Sequence, residues 1–176
     1  MSVERKVMTR HLFLIGFMGS GKSYLGEQLA RRLGCPFFDL DRIIEEGEGK
    51  TVANIFAASG EAGFRVLERA YLHKLACQTP AVVATGGGTP CFFDNMDWMN
   101  AQGVTVYLET PLAVLLERLR GQKAARPLLA GLDDAQLSDH IESLLAKRTI
   151  YYKQATTTMK GETGDEFWRV LIEAVE

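Results

Sequence analysis

Gly16-Phe17-Met18-Gly19-Ser20-Gly21-Lys22-Ser23 is the stretch whose reading decides the fold. It follows the apolar run His11-Leu12-Phe13-Leu14-Ile15 and leads into an amphipathic segment over residues 24–33. The order is strand, glycine loop, helix. The spacing is that of the phosphate-binding loop G-x-x-x-x-G-K-[ST], and the flanking strand and helix supply the context the motif requires. Its glycines let backbone N–H groups turn inward around a phosphate, where side chains would collide. The helix adds the partly positive charge of its N-terminus. In such a loop Lys22 reaches the β- and γ-phosphates and the Ser23 hydroxyl ligates Mg²⁺. The competing reading is a glycine-rich turn between two core elements. The loop points to a nucleoside triphosphate as donor and leaves the acceptor open.

Outward from the loop, five short apolar runs predict strands over residues 12–15, 36–40, 81–85, 104–108 and 156–159. Segments of helical spacing separate them. Leu25, Leu29 and Leu33 line one face of the first, which stops at Gly34. Residues 42–47, 52–58 and 61–78 form a helical stretch between the second and third strands. Further helices are predicted over 92–101, 111–120, 134–154 and 165–175. Thr110-Pro111 reads as a cap followed by proline at the first helical position. Near-continuous apolar strands alternating with helices predict an α/β fold, a parallel sheet covered on both faces. Ligands of such sheets bind beyond the carboxyl ends of the strands. Residues 122–132 place Arg126-Pro127-Leu128-Leu129 among small residues, a candidate lid or an ordinary surface loop.

At 176 residues the chain is expected to form a single domain with a sizeable core. With a net charge of -2 it advertises no basic surface for nucleic acid. Cys35, Cys77 and Cys91 are odd in number and lack C-x-x-C spacing, so they read as reduced thiols of a cytosolic protein rather than a metal site. No apolar run approaches the ~18 residues of a membrane span. Residues 1–10 lack an apolar signal core and are expected to be partly a frayed leader. His11, His73 and His140 share no metal-site spacing, and Trp98 and Trp168 read as core residues.

Several charged and glycine motifs fall just after predicted strands. Asp39-Leu40-Asp41 ends the second. Residues two apart in an extended chain point the same way, so both carboxylates are expected to face the site. One suits Mg²⁺ through water, and the other suits a hydrogen bond from an attacking hydroxyl. The alternative is that Asp41 caps the helix at Arg42. Phe64-Arg65 with Glu61 and Glu68 reads either as a helix-surface ion-pair set or as an arginine fork for a substrate carboxylate. Gly86-Gly87-Gly88 follows the third strand and permits close backbone approach to a small ligand. Arg126 in the candidate lid is placed to neutralise a transferring phosphoryl, and Arg120 at its base to border an adenine. Arg148 beside Lys147 reads by default as a solvated helix face.

Taken together, these motifs resemble the shikimate kinases over nearly the whole chain from Leu12. The resemblance rests on residues 16–23, Asp39-Leu40-Asp41, Phe64-Arg65 with Glu68, Gly86-Gly87-Gly88, Arg126-Pro127-Leu128-Leu129, and Arg148 with Tyr151. It implies a three-layer P-loop NTPase fold of the nucleoside monophosphate kinase type. The five-stranded parallel sheet has the order 2-3-1-4-5, with a substrate-binding insertion at about 41–69 and a lid at about 122–132. It implies transfer of the γ-phosphoryl of ATP to the 3-hydroxyl of shikimate, on the route to chorismate and the aromatic amino acids. By this likeness Lys22, Asp41 and Arg126 are catalytic. Gly19, Ser20, Gly21, Lys22, Ser23, Tyr24, Arg120 and Arg126 bind ATP. Asp41, Arg65, Gly86, Gly87, Gly88 and Arg148 bind shikimate, the two arginines at its carboxylate. Ser23 and Asp39 serve Mg²⁺, and a cytoplasmic monomer is implied.

Two departures stand out. Ser23 replaces the threonine frequent after the loop lysine, with the hydroxyl kept. Residues 157–164 lack the Asp and Pro that often border the adenine. A gluconate kinase of the same architecture is the nearest rival, and a non-catalytic nucleotide-binding protein the rival of another class.

Overall fold

All five predicted strands pair in one parallel sheet: β1 (His11–Ile15), β2 (Phe37–Asp39), β3 (Val82–Ala84), β4 (Gly103–Glu109) and β5 (Thr157–Lys160). Their order is β2-β3-β1-β4-β5, as the resemblance implied. Leu12 sits between Val82 and Val104, and Leu14 between Ala84 and Val106. The computed structural model describes residues 8–75, 79–122, 127–129, 131–160 and 165–173.

The alternation of strand side chains builds two cores. Leu12, Leu14, Val82 and Val106 pack against α1 (Lys22–Leu33) and α7 (Asp165–Glu173). Phe13, Ile15, Val83 and Tyr107 pack on the other face. There they meet α2 (Leu40–Glu48), α3 (Val52–Leu75), α4 (Asn95–Gln102), α5 (Leu112–Arg120) and α6 (Asp134–Tyr152). Every residue of β1 is buried. That explains its unbroken apolar reading, because a strand covered on both faces has no side to give to water.

Helix boundaries differ from expectation at two places, each for a local reason. Pro111 does not open a helical turn. Its ψ of 142° is extended, and α5 begins one residue later. Residues 92–94 are not helical, because Thr89–Cys91 form a 3-10 turn and Phe93 takes a φ of 53°. The two helices expected between β2 and β3 after residue 52 are present as the two halves of α3, which part at Gly60 (φ 68°, ψ −177°), a conformation open to glycine. Of the expected leader, residues 8–10 are held, with Met8 buried and the Arg10 guanidinium donating to the Gly103 carbonyl at 3.3 Å, while residues 1–7 lie outside the described residues. Trp98 stacks on His73 at 4.2 Å, and Arg32 lies over Trp168 at 4.0 Å, so both tryptophans serve packing. No helix among the described residues is long and apolar enough to cross a membrane.

The carboxyl ends of the strands gather every motif that the described residues contain. The glycine loop follows β1, Asp39 and Asp41 follow β2, and the triple glycine follows β3. Residues 109–111 follow β4. A reciprocal cap of Asp133 and Gln136 starts α6, whose C-terminal end carries Arg148 to the same rim.

Candidate active site

The glycine loop turns into α1 at Gly21, whose φ of 92° is one that residues with a Cβ rarely adopt. Lys22 is the first residue of α1 and is buried. Its ammonium donates to the carbonyls of Gly16 (2.9 Å) and Phe17 (2.8 Å). The Ser20 hydroxyl lies 3.4 Å away. The loop thus wraps around its own cation. Outside it lies a cavity of about 980 Å³, bordered by residues 18–25, Asp39, Asp41, the 109–111 turn and Arg118. Tyr24 lines it while remaining largely exposed.

The arginine on this rim is Arg118, not Arg120. Arg118 donates to the Gly19 carbonyl at 2.9 Å, while Arg120 is exposed and does not border the cavity. Two residues along a helix turn the side chain through roughly 200°, so only one of the pair can face the loop. Arg126, the proposed catalytic lid arginine, lies outside the described residues, as do residues 123–125 and 130 of the candidate lid.

The carboxylate pair faces one cavity by a route other than strand alternation. β2 ends at Asp39, and Asp41 already belongs to the first turn of α2. Asp39, rather than Asp41, is the helix cap: one carboxylate oxygen accepts from the Arg42 N–H at 3.4 Å. Its other oxygen accepts from the Ser23 hydroxyl at 2.5 Å. Ser23 and Asp39 therefore offer two adjacent hard oxygens, the donor type Mg²⁺ prefers. No three His, Cys, Asp or Glu side chains gather elsewhere among the described residues. Asp41 receives no hydrogen bond from the described residues. Burial, with Glu68 and Asp39 nearby, pushes its carboxyl up to about 6.

Beside Asp41 lies a smaller cavity of about 200 Å³. Arg65 reaches it from α3 and pairs with Glu61 and Glu68, each at 2.9 Å. The ion pairs of the first reading are present, and the guanidinium also lines the cavity. Burial opposes the Arg65 charge, but Glu68 and Glu61 outweigh it and strengthen its hold on the proton. Glu68 also accepts from the Thr89 hydroxyl at 2.6 Å, so the carboxylate is anchored from two sides.

Arg148 is no solvated helix residue. It is 5% exposed and lines the same cavity, its guanidinium 5.7 Å from the Phe17 ring. No carboxylate among the described residues pairs with it. A buried cation without a counter-ion is costly. The cavity that holds it therefore favours an anion.

The triple glycine forms the wall between the two arginines. A Cβ on Gly88 would come within 2.3 Å of the Arg65 Nη2, and one on Gly86 within 2.7 Å of Glu68 Oε1. Gly87 is gripped through its carbonyl, which accepts from the Tyr152 hydroxyl at 2.5 Å. A side chain at Gly86 or Gly88 would thus force Glu68 or Arg65 to shift. We predict that Gly88→Ala displaces Arg65 and raises the KM for the acceptor about ten- to hundredfold, the range expected for a misplacement near 1 Å. Steady-state kinetics with a thermal melt would check this, and an unchanged acceptor KM would contradict it.

Residues 18–175 match the family model described as shikimate kinase. The chain belongs to the shikimate kinase family. It is 51% identical over 155 residues to a shikimate kinase of Phocaeicola vulgatus, spanning 88% of each chain. Its fold superposes with a TM-score of 0.85 on the Acinetobacter baumannii shikimate kinase solved in complex with shikimate, at 34% identity over 93% of this chain and 92% of that one. A gluconokinase of Sinorhizobium meliloti, at 20% identity and a TM-score of 0.56, shares the fold alone. The chain is thus a kinase of this family, and the gluconate alternative loses its footing.

Two residues of the kinase site escaped the sequence. Tyr152, not Tyr151, is the tyrosine that grips the triple glycine. It stands four residues after Arg148 and hence on the same helix face, which was the available signal. Arg118 carried no signal, because nothing in the sequence says which arginine of α5 faces the loop. Val52 and Phe56, which add apolar lining to the smaller cavity, were likewise unmarked.

Proposed function

We propose that the chain transfers the γ-phosphoryl of ATP to the 3-hydroxyl of shikimate, yielding shikimate 3-phosphate and ADP. The observation that carries this reading is the small cavity lined by two buried arginines, the triple glycine and Asp41, whose carboxylate receives no hydrogen bond from the described residues. A ring acid with several hydroxyls complements it: Arg65 and Arg148 take the carboxylate, and Asp41 takes the hydroxyls. Asp41 orients the attacking hydroxyl and accepts its proton. ATP lies in the larger cavity, its phosphates on residues 19–24 with Lys22 and Arg118 at hand. Ser23 and Asp39 hold Mg²⁺, which supplies neutralisation of phosphate charge. Lys22 and Arg126 form the clamp on the moving phosphoryl, complete when the lid at about 122–132 closes and excludes water. The whole chain acts as one kinase domain, with residues 41–69 as the acceptor-binding insertion. We place it in the cytoplasm as a monomer serving chorismate and aromatic amino-acid synthesis.

The test is ADP release measured with shikimate, gluconate and nucleoside monophosphates in turn. Turnover is expected with shikimate alone; absence of shikimate-dependent ADP would sink the reading. Arg148→Ala is expected to raise the shikimate KM about a hundredfold, as for loss of a charge-assisted contact, with the ATP KM nearly unmoved. Equal rises in both constants would remove Arg148 from the carboxylate.

A further inference from the structure

Phe93 is the only non-glycine residue among those described with a positive φ, 53°. A phenylalanine persists there only where its surroundings over-determine it. Those surroundings are two arginines of α3. The Phe92 ring lies 4.4 Å from the Arg65 guanidinium carbon, and the Phe93 ring 5.3 Å from that of Arg69. Asp94 pairs with Arg69 at 2.6 Å. Arg65 and Arg69 stand four residues apart, on one helix face. Consecutive residues of an extended chain point to opposite sides. The left-handed turn at Phe93 breaks that alternation and lets two successive rings meet two cations on the same face.

We propose that residues 92–94 are a clip that fixes the plane of the Arg65 guanidinium, which makes Phe92 a positioning residue for the acceptor's carboxylate. The inference rests on the reading of Arg65 as a carboxylate ligand. Glu61 and Glu68 hold Arg65 only in its plane: its Nε and Nη2 donate to Glu61 Oε1 and its Nη1 to Glu68 Oε2. In-plane bonds leave the fork free to tilt. A ring against its face does not. A guanidinium has five N–H donors and these bonds use three. The two that remain, one on each Nη, are open to a carboxylate, and their aim depends on a tilt set most closely by Phe92 at 4.4 Å, with the Phe64 ring further off at 5.3 Å. The clip is itself anchored on the core: Asn95 donates from its buried side chain to the Thr89 carbonyl at 2.9 Å.

The experiment is steady-state kinetics on Phe92→Leu, Phe92→Tyr, Arg65→Ala and the Arg65→Ala/Phe92→Leu double variant. Phe92→Leu is expected to raise the shikimate KM roughly five- to tenfold, the scale of a cation–π contact, with kcat and the ATP KM within about twofold. Phe92→Tyr keeps the ring and brings the shikimate KM back to within about twofold of the parent. In the Arg65→Ala background Phe92→Leu has no further effect, because the residue acts through Arg65. An unchanged shikimate KM in Phe92→Leu, or the same rise with Arg65 absent, overturns the clip. If Arg65→Ala leaves the shikimate KM alone, the carboxylate reading of Arg65 itself has failed. If Arg65→Ala raises it and Phe92→Leu does not, only the clip has failed. Should Phe92→Leu not fold, Asp94→Asn frees Arg69 at an exposed site. It is then expected to raise the shikimate KM about two- to threefold, and no rise overturns the proposal.

Discussion

Asp41→Asn is expected to lower kcat by about 10²- to 10⁴-fold, the range for loss of a positioned general base, while making the protein more stable at pH 8 by about 2–3 kcal/mol. The two effects share one cause. The Asp41 carboxylate is buried beside Glu68 and Asp39, and these outweigh the attraction of Lys22 and Arg65. Its proton therefore leaves only at about 6, well above the ordinary 3.8. A carboxyl whose folded pKa is raised favours the fold at low pH. Its contribution is whole below about pH 4, is lost as pH rises through 6, and is absent at pH 8. Asparagine keeps the shape and removes the charge. Denaturant melts of the two proteins should separate at pH 8 and converge near pH 4. A destabilised Asp41→Asn at pH 8 would show that the ion is held by contacts not evident in the geometry.

The same ionisation shapes activity in the parent. The free enzyme needs Asp41 charged to receive the hydroxyl proton, so kcat/KM for shikimate is expected to fall about tenfold per pH unit below 6, with a single-proton slope. A profile flat down to pH 5 would take the proton-accepting role from Asp41. The penalty of ionisation in the empty cavity is what makes the site receptive, since incoming hydroxyls supply the hydrogen bonds the carboxylate lacks.

The sequence disclosed the fold because the sheet is buried on both faces. Such strands read as apolar runs whatever their order, and the glycine loop named which of them opens the fold. Strand order itself came through the resemblance; no residue of β3 announces that it lies between β1 and β2. The candidate site was legible wherever chemistry forces composition. Lys22 needs its glycines, and a Cβ at Gly86 or Gly88 would displace Glu68 or Arg65. It was illegible where only three-dimensional direction matters. Arg118 and Arg120 have the same chemistry and differ by 200° of helix rotation. Arg148 looked solvated because Lys147 stands beside it, yet the rotation of α6 turns Arg148 inward together with Tyr152. Asp39 and Asp41 illustrate a right conclusion reached by a wrong route: they face one cavity because a helix begins between them.

Lys22→Met is expected to lower kcat by about 10²- to 10³-fold, the loss typical when one preorganised charge is withdrawn from a transition state. The shikimate KM is expected to stay within about threefold, because Lys22 lines the nucleotide cavity and not the acceptor cavity. The ammonium is held by the loop's own carbonyls at 2.8 and 2.9 Å, so it is poised at the place where phosphate charge arrives and needs little reorganisation to meet it. Removing it also leaves the Gly16 and Phe17 carbonyls without their donor, and each buried orphan acceptor costs about 1–3 kcal/mol. A drop in melting temperature should therefore accompany the drop in rate. Saturating ATP tests the division of labour. If the rate recovers fully at saturating ATP, kcat is unchanged and Lys22 serves ground-state binding alone. If the deficit persists at saturation, Lys22 acts on the moving phosphoryl, and the loop that identifies the fold also stabilises the transition state.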